Sequence, residues 1–529
     1  MGLFHFAIRV KSFLGGIHMI AKILMLCIFF AVMIGVGVYA RKHASDVDGF
    51  VLGSRSAGPW ISAFAYGTSY FSAVVFVGYA GQFGWKYGIA STWIGIGNAL
   101  LGSLLAWFVL GRRTRVMTQH IDAKTMPDYF GKRYDSKALK ITASVITFVF
   151  LIPYTASVYN GLSRLFGMAF DIPYSTCLIV MAVLTGAYVV LGGYMATVLN
   201  DFIQGIFMLF GICMVIYSVL QGQGGFYSAL TRLAAQVPAE GEVLPVAGNG
   251  IFASFFGPDP MNLLGVIILT SLGTWGLPQM VGKFYAIKSE KNIKTGMIVS
   301  TVFAIVVSGG CYFLGGFGRL FSDKINLAKD GFDSIIPSML ATLPDLLIGI
   351  VIVLVLSASM STLSSLVLTS SSTLTIDFLG SISKKSREEK DEKKQVLLMR
   401  IFVLVFVVIS VVIALNKNKI PNIAQLMGYS WGALAGAFLA PFMYGLYWKK
   451  VTKASVWVSF AFSVALTVAN MIFGFIKSPI NAGAITMLIS LVLVPLVSLV
   501  TPKMDKKMTD ELFECFEEKV EVPVKKALD

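Results

Sequence analysis

The sequence predicts an all-α integral membrane protein of about thirteen transmembrane helices, and three observations carry that prediction. Of 529 residues, 56% are hydrophobic and only 13% are charged, about half the charge of a soluble domain. Apolar runs recur along the chain: Ser56 to Trp85, Tyr87 to Gly111 and Leu346 to Ile376 contain no Asp, Glu, Lys or Arg. A span needs ~20 mostly apolar residues, and in hydrocarbon its backbone groups must pair within the segment, which makes each run a helix. Lastly, the basic residues collect in alternate short loops, the pattern that fixes orientation in a bilayer.

The expected spans are 20–40, 58–84, 88–111, 140–166, 172–192, 197–220, 263–284, 295–318, 345–378, 397–415, 422–447, 455–475 and 482–500. Before the first lies a weakly amphipathic, basic extension, residues 1–19. No small-residue cleavage site follows the apolar core, so it reads as an extension rather than a cleaved signal. The loop after the third span carries Arg112, Arg113, Arg115, Lys124, Lys132, Arg133 and Lys137. The loop after the seventh carries Lys283, Lys288, Lys291 and Lys294, and that after the ninth reads KKSREEKDEKK. The loop after the eleventh holds Lys449, Lys450 and Lys453, whereas the long loop 221–262, of opposite parity, has one basic residue, Arg232. Basic loops face the cytoplasm. The amino terminus is therefore expected outside and the mixed-charge tail, 501–529, inside, with one transmembrane domain over 20–500 of a multi-pass cell-membrane protein.

The net charge of +15 does not point to nucleic acid, because it is spread through these loops. None of the five cysteines shows metal-ligand spacing. All four histidines fall in terminal or loop regions, which argues against an enzyme, and without a P-loop ATP is not expected to drive the protein.

Three spans depart from plain hydrophobic helices. The second contains Gly67, Gly78 and Gly81 with Thr68, Ser69 and Ser72. The seventh, five spans later, carries Gly273, Gly276 and Pro278. Small polar residues can serve helix packing. Paired interrupted helices in two halves also mark alternating-access transporters of LeuT-type architecture, in which unwound carbonyls hold a cation. The ninth span contains SASMSTLSSLVLTSSSTLT, where Ala358, Ser361 and Thr362 share one helical face, with Ser364 and Ser365 about a turn further on. These hydroxyls either bond back to their own helix or offer the neutral hard oxygens that a monovalent cation such as sodium prefers. Asp201, near the start of the sixth span, is either an interfacial acid at a helix start or a group on an ion path. Asp345 and Asp377 flank the ninth span and read as interfacial ends.

The stretches LGSRSAGPW, TMPDYFGKRYD, GAYVVLGGYMATVLNDFIQG, GLPQMVGKF and SASMSTLSSLVLTSSS occur in an order that resembles the sodium:solute symporter family, over residues of about 20 to 475. Its sodium/proline and sodium/pantothenate carriers are the most similar branches. The resemblance implies two inverted five-helix repeats, about 58–220 and 263–447. It implies a sodium site made by the carbonyls of Thr68, Phe71 and Ala358 and the hydroxyls of Ser361 and Thr362. For some members it implies a second sodium, here at Ser364, Ser365 and Asp201, the last also on the release path. Tyr70 stands where the proline carrier has an Asp, and Thr270 and Thr274 replace aromatic residues, so the solute is expected among amino acids such as proline or carboxylates such as pantothenate or a monocarboxylate. Candidate contacts are Ser69, Ser72, Thr274, Trp275 and Gln279. The expected function is sodium-coupled symport by alternating access, with Na+ as coupling ion and no cofactor. A proton-coupled or uncoupled carrier on the same fold, or a transporter-derived sensor, is the alternative. The partners are a small solute, sodium and lipid, with no nucleic acid.

Overall fold

The computed structural model describes residues 23–170, 173–239, 241–327, 331–382, 389–416 and 423–516. The amino-terminal extension, the last thirteen residues of the tail and residues 383–388 of the loop after the ninth span lie outside the described residues.

Ten helices are long and apolar enough to cross a membrane, or eleven when the bent pair Pro260–Trp275 and Pro278–Tyr285 counts as one span. Two of these are far too long for one crossing. Val74–His120 has 47 residues and Tyr174–Gly222 has 49, which at 1.5 Å per residue is ~70 Å against a core of ~30 Å. Each turns at a glycine in a conformation that side chains resist: Gly88 at φ 60°, ψ −142° and Gly193 at φ 53°, ψ −142°. Splitting both yields two further crossings, which brings the described residues to the thirteen spans that hydropathy predicts.

The second and seventh spans are interrupted. The second is helical over Pro59–Thr68, breaks across 69–73, and resumes as a π-helical segment Val74–Tyr79 continued by Ala80–Tyr87. Within the break, single i→i+3 turns replace the helical ladder: Tyr70 N–H donates to Gly67 O at 3.1 Å and Phe71 N–H to Thr68 O at 3.0 Å. The seventh runs Pro260–Leu272, tightens over Gly273–Trp275, and restarts at Pro278–Tyr285 with a bend of 42°. Pro278 at a first helical position suits a restart, because its missing N–H needs no partner there.

The ninth and eleventh spans are the centre of the bundle: 83% and 89% of their apolar windows are buried, against 22% for the first and 33% for the tenth. The ninth packs on the fourth, the fifth-to-sixth pair and the tenth, while the eleventh joins the twelfth and thirteenth in a side cluster. Both halves of the second span lie along the eighth. There the approach is backbone to backbone: a Cβ on Gly84 would sit 2.0 Å from Gly315, and one on Gly315 would sit 2.0 Å from the carbonyl oxygen of Ala80.

On the basic-loop end, the arginines are anchors more than solvated charges. Arg55 donates to the carbonyls of Tyr285 at 2.8 Å, Thr118 at 3.2 Å and Ala123 at 2.9 Å, tying the seventh span to the loop after the third. The tail, whose mixed charge suggests a solvated segment, folds where described into the helix Lys506–Glu514 and docks on that same end. Asp510 pairs with Lys449 at 2.7 Å, and the Arg133 guanidinium lies 5.2 Å from the Phe513 ring.

Candidate functional site

The break in the second span meets the middle of the ninth. Thr362 Oγ1 lies 3.3 Å from the carbonyl oxygen of Phe71 and 3.2 Å from that of Ala358. Ser361 Oγ donates to Thr68 Oγ1 at 3.0 Å. Two residues beyond Phe71, the N–H of Ala73 donates to Ser359 Oγ at 3.3 Å. The five positions Thr68, Phe71, Ala358, Ser361 and Thr362 are therefore neighbours, and each is at most 3% exposed. One detail differs from the expectation: Thr68 turns its hydroxyl toward Ser361, while its carbonyl already accepts from Phe71 N–H. A carbonyl has a second lone pair for another partner. The cluster is built of neutral oxygens, the donor chemistry that suits a hard monovalent cation. The unwound segment makes it available, since carbonyls inside a continuous helix are occupied by their own ladder.

A second polar centre lies toward the basic-loop end. Asp201 is fully buried, and its Oδ2 is 3.2 Å from Nζ of Lys283, itself only 3% exposed. The same ammonium donates to Ser365 Oγ at 3.0 Å and lies 5.6 Å from the Tyr194 ring. One sequence expectation changes here. Lys283 is not a loop residue of the basic end: the restart at Pro278 carries the helix back into the protein, placing Lys283 one turn beyond Gln279 on the face that meets the ninth span. The second-site hydroxyls also differ in partner: Ser364 donates to Ser361 O at 2.9 Å, whereas Ser365 accepts from Lys283. The sequence signal for Lys283 was its i, i+4 spacing from Gln279 on the half-helix of an interrupted span. Both residues line a crevice with Tyr194, Ser365 and, from the basic loop after the third span, Lys124 and Thr125.

Asp377, expected at an interface, is also fully buried. Thr125 Oγ1 donates to it at 2.6 Å, and Lys140 lies 3.3 Å from it and 2.6 Å from Asp128. The ninth helix continues past Ser372 as a π-helical turn, Thr373–Leu379, which carries Asp377 inward under the short helix Met126–Arg133. Burial pushes the Asp128 carboxyl up, but Lys140 and Lys132 outweigh burial and hold it below the usual carboxylate range.

The candidate solute contacts divide. Thr274 Oγ1 meets Tyr70 Oη at 2.6 Å, joining the two interrupted spans, and Trp275 Nε1 donates to Leu101 O at 3.1 Å. Ser69 bonds back to Ala65 O at 2.8 Å, and Ser72 accepts from Val74 N–H at 3.2 Å, capping the second half-helix. Gln279 faces the crevice instead, with its Oε1 left without a hydrogen-bond partner. The five are not brought to one point. Tyr70, which the candidate set omitted, is the side chain that connects the two breaks.

Two interrupted helices, each the first of a five-span set, and a neutral oxygen cluster between one of them and a central helix define a LeuT-type transporter fold. The same architecture appears in a solved sodium-coupled sialic acid symporter (16% identity, TM-score 0.71, covering 91% of this chain and 98% of that one). It appears also in a nucleobase-cation-symport-1 family transporter (12% identity, TM-score 0.54, 88% and 97%). Sodium/proline symporters of Staphylococcus aureus, in strains JH9 and JH1 among others, are 31% identical over 452 residues, 84% of each chain. The family profile named "Sodium:solute symporter family" matches residues 50–462, and the chain belongs to that family. It is a multi-pass membrane protein that carries a small solute coupled to sodium.

Proposed function

We propose that the coupling sodium binds among the carbonyls of Thr68, Phe71 and Ala358 and the hydroxyls of Ser361 and Thr362, and that its binding ties the interrupted second span to the ninth. The observation that carries this reading is the pair of cross-span contacts, Ser361 to Thr68 at 3.0 Å and Thr362 to Phe71 at 3.3 Å. An ion there replaces hydroxyl hydrogen bonds with ion–oxygen contacts and fixes the break that borders the solute space. Each ligand then raises the other's affinity by the same factor, and occupancy permits the rocking step of alternating access.

The basic-loop end, with the crevice at Lys283, is the cytoplasmic side, and the amino terminus is outside. Residues 20–500 form the transporter, with repeats of about 58–220 and 263–447 between the extension 1–19 and the cytoplasmic tail 501–529. The protein works in the cell membrane, without catalytic residues, nucleic acid or a cofactor other than Na+. Its solute is an amino acid such as proline, the substrate named for the Staphylococcus aureus relatives, or a carboxylate such as pantothenate or a monocarboxylate. Of the candidate contacts Ser69, Ser72, Thr274, Trp275 and Gln279, the solute meets Thr274 at the two breaks, where it pairs with Tyr70, and Gln279 in the crevice. The Asp201–Lys283 ion pair disfavours the proton-coupled alternative, since Asp201 is the carboxylate such coupling would need and it is already matched by a cation.

Uptake of labelled amino acids and carboxylates into right-side-out vesicles, with and without an inward sodium gradient, tests the reading. Accumulation of one of these solutes that vanishes without the gradient is expected. Equal uptake in sodium-free medium at shifted pH would contradict it.

A further inference from the structure

A family fold with an acid in the sixth span and a second hydroxyl pair in the ninth has room for two cations. In this chain one of the two positions is already filled from within. We propose that the Lys283 ammonium permanently occupies the second cation position, beside Asp201 and Ser365, so that the protein moves one sodium per solute. The inference rests on the sodium reading above and specifies its stoichiometry.

The geometry is that of a tethered ion. Nζ of Lys283 sits 3.2 Å from Asp201 Oδ2 and 3.0 Å from Ser365 Oγ, two of the three side chains that the second sodium would require. The ammonium is a compact point charge, and its charge cancels that of Asp201. A buried pair of this kind is held together because removing either partner leaves the other charge uncompensated. A sodium entering beside Asp201 would have to displace the ammonium that already compensates that carboxylate, and Ser365 is likewise taken by Lys283. The first site differs in its donors: its five positions carry no charge themselves, and among the described residues no lysine or arginine is hydrogen-bonded to them.

The consequence is thermodynamic. One charge moved through 100 mV is worth ~2.3 kcal/mol and a tenfold sodium gradient ~1.4 kcal/mol. One sodium therefore sustains accumulation of a neutral solute of roughly a few hundred-fold, whereas two would square that ratio. The lysine sets a lower ceiling and a lower sodium cost per solute molecule. Lys283 also lines the crevice, so a sodium leaving the first site toward the basic-loop end meets an acid that is already neutralised rather than a second resting place.

The experiment is the ratio of sodium-22 flux to labelled-solute flux in proteoliposomes, with the Hill coefficient for sodium measured alongside. The wild type should give a ratio near one and a Hill coefficient near one. Lys283→Met exposes Asp201 and should raise both toward two, and Lys283→Arg should leave both near one. Should Lys283→Met fail to insert, Lys283→Met with Asp201→Asn keeps the site neutral and should hold the ratio at one. A wild-type ratio of two overturns the proposal while leaving sodium coupling intact. Loss of all sodium dependence in the wild type is instead the failure of the underlying reading. A Lys283→Met protein that is inserted and active with its ratio still at one also overturns it.

Discussion

At the scale of single residues, the site is organised by where hydroxyls spend their one proton. Ser69 and Ser364 donate to their own chain, Ser361 and Tyr70 reach across to another span, and Thr362 stands between Ala358 O of its own helix and Phe71 O of the second span. Tyr70 and Thr274 form a hydroxyl pair that joins the two interrupted spans, at 2.6 Å. Removing one buried hydrogen bond costs about 1 kcal/mol, a several-fold change in an equilibrium. Tyr70→Phe should therefore raise the solute concentration for half-maximal uptake several-fold and leave the sodium concentration for half-maximal uptake nearly unchanged. Equal shifts in both would show that Tyr70 serves the ion site. The residues that sequence reasoning misplaced, Lys283 and Asp377, share one physical reason. Charge-counting assigns every Lys and Asp near a span end to a loop, but both sit on helical segments that continue past the apparent end and turn inward. Only the partner chain segments, Asp201 for one and Thr125 with Lys140 for the other, reveal that a charge is affordable there.

At the scale of elements, glycine positions decide how closely the spans approach. Gly84 and Gly315 let the second half of the second span lie on the eighth at backbone contact, with no room for a methyl on either. Close packing by small residues substitutes for the hydrophobic drive that lipid removes. Gly84→Val should abolish folded yield or displace the second half-helix. The loss should be measured as a fall in monodisperse protein after detergent extraction, whereas Gly282→Ala, where a Cβ meets nothing within 4 Å, should have little effect. Normal yield and uptake for Gly84→Val would contradict the packing. The spans themselves were legible in the sequence because a run of apolar residues without charge has no alternative to a helix in lipid. The paired interruptions were legible because Gly, Pro and hydroxyl clusters have a specific cost in mid-membrane. The hinge glycines 88 and 193 were not, since a positive φ leaves no mark in composition.

At the scale of the whole molecule, two interrupted spans face one buried, hydroxyl-rich helix, and the sites proposed for ion and solute share the same break. That sharing is what couples them: the second span cannot order its 69–73 segment for one ligand without presenting it to the other. The five oxygen-bearing positions proposed for sodium lie in two motifs with recognisable order, and the structure sets them side by side. The solute's identity was not legible, because Ser69, Ser72, Thr274, Trp275 and Gln279 divide between helix packing and the crevice. The most direct measurement is equilibrium sodium binding by the purified protein, wild type against Ser361→Ala with Thr362→Ala. Loss of two ion–oxygen contacts, each worth ~1.5–3 kcal/mol for a charged partner, should weaken binding at least tenfold in the altered protein. Unchanged sodium affinity in a well-folded double variant would contradict the placement of the ion between the second and ninth spans.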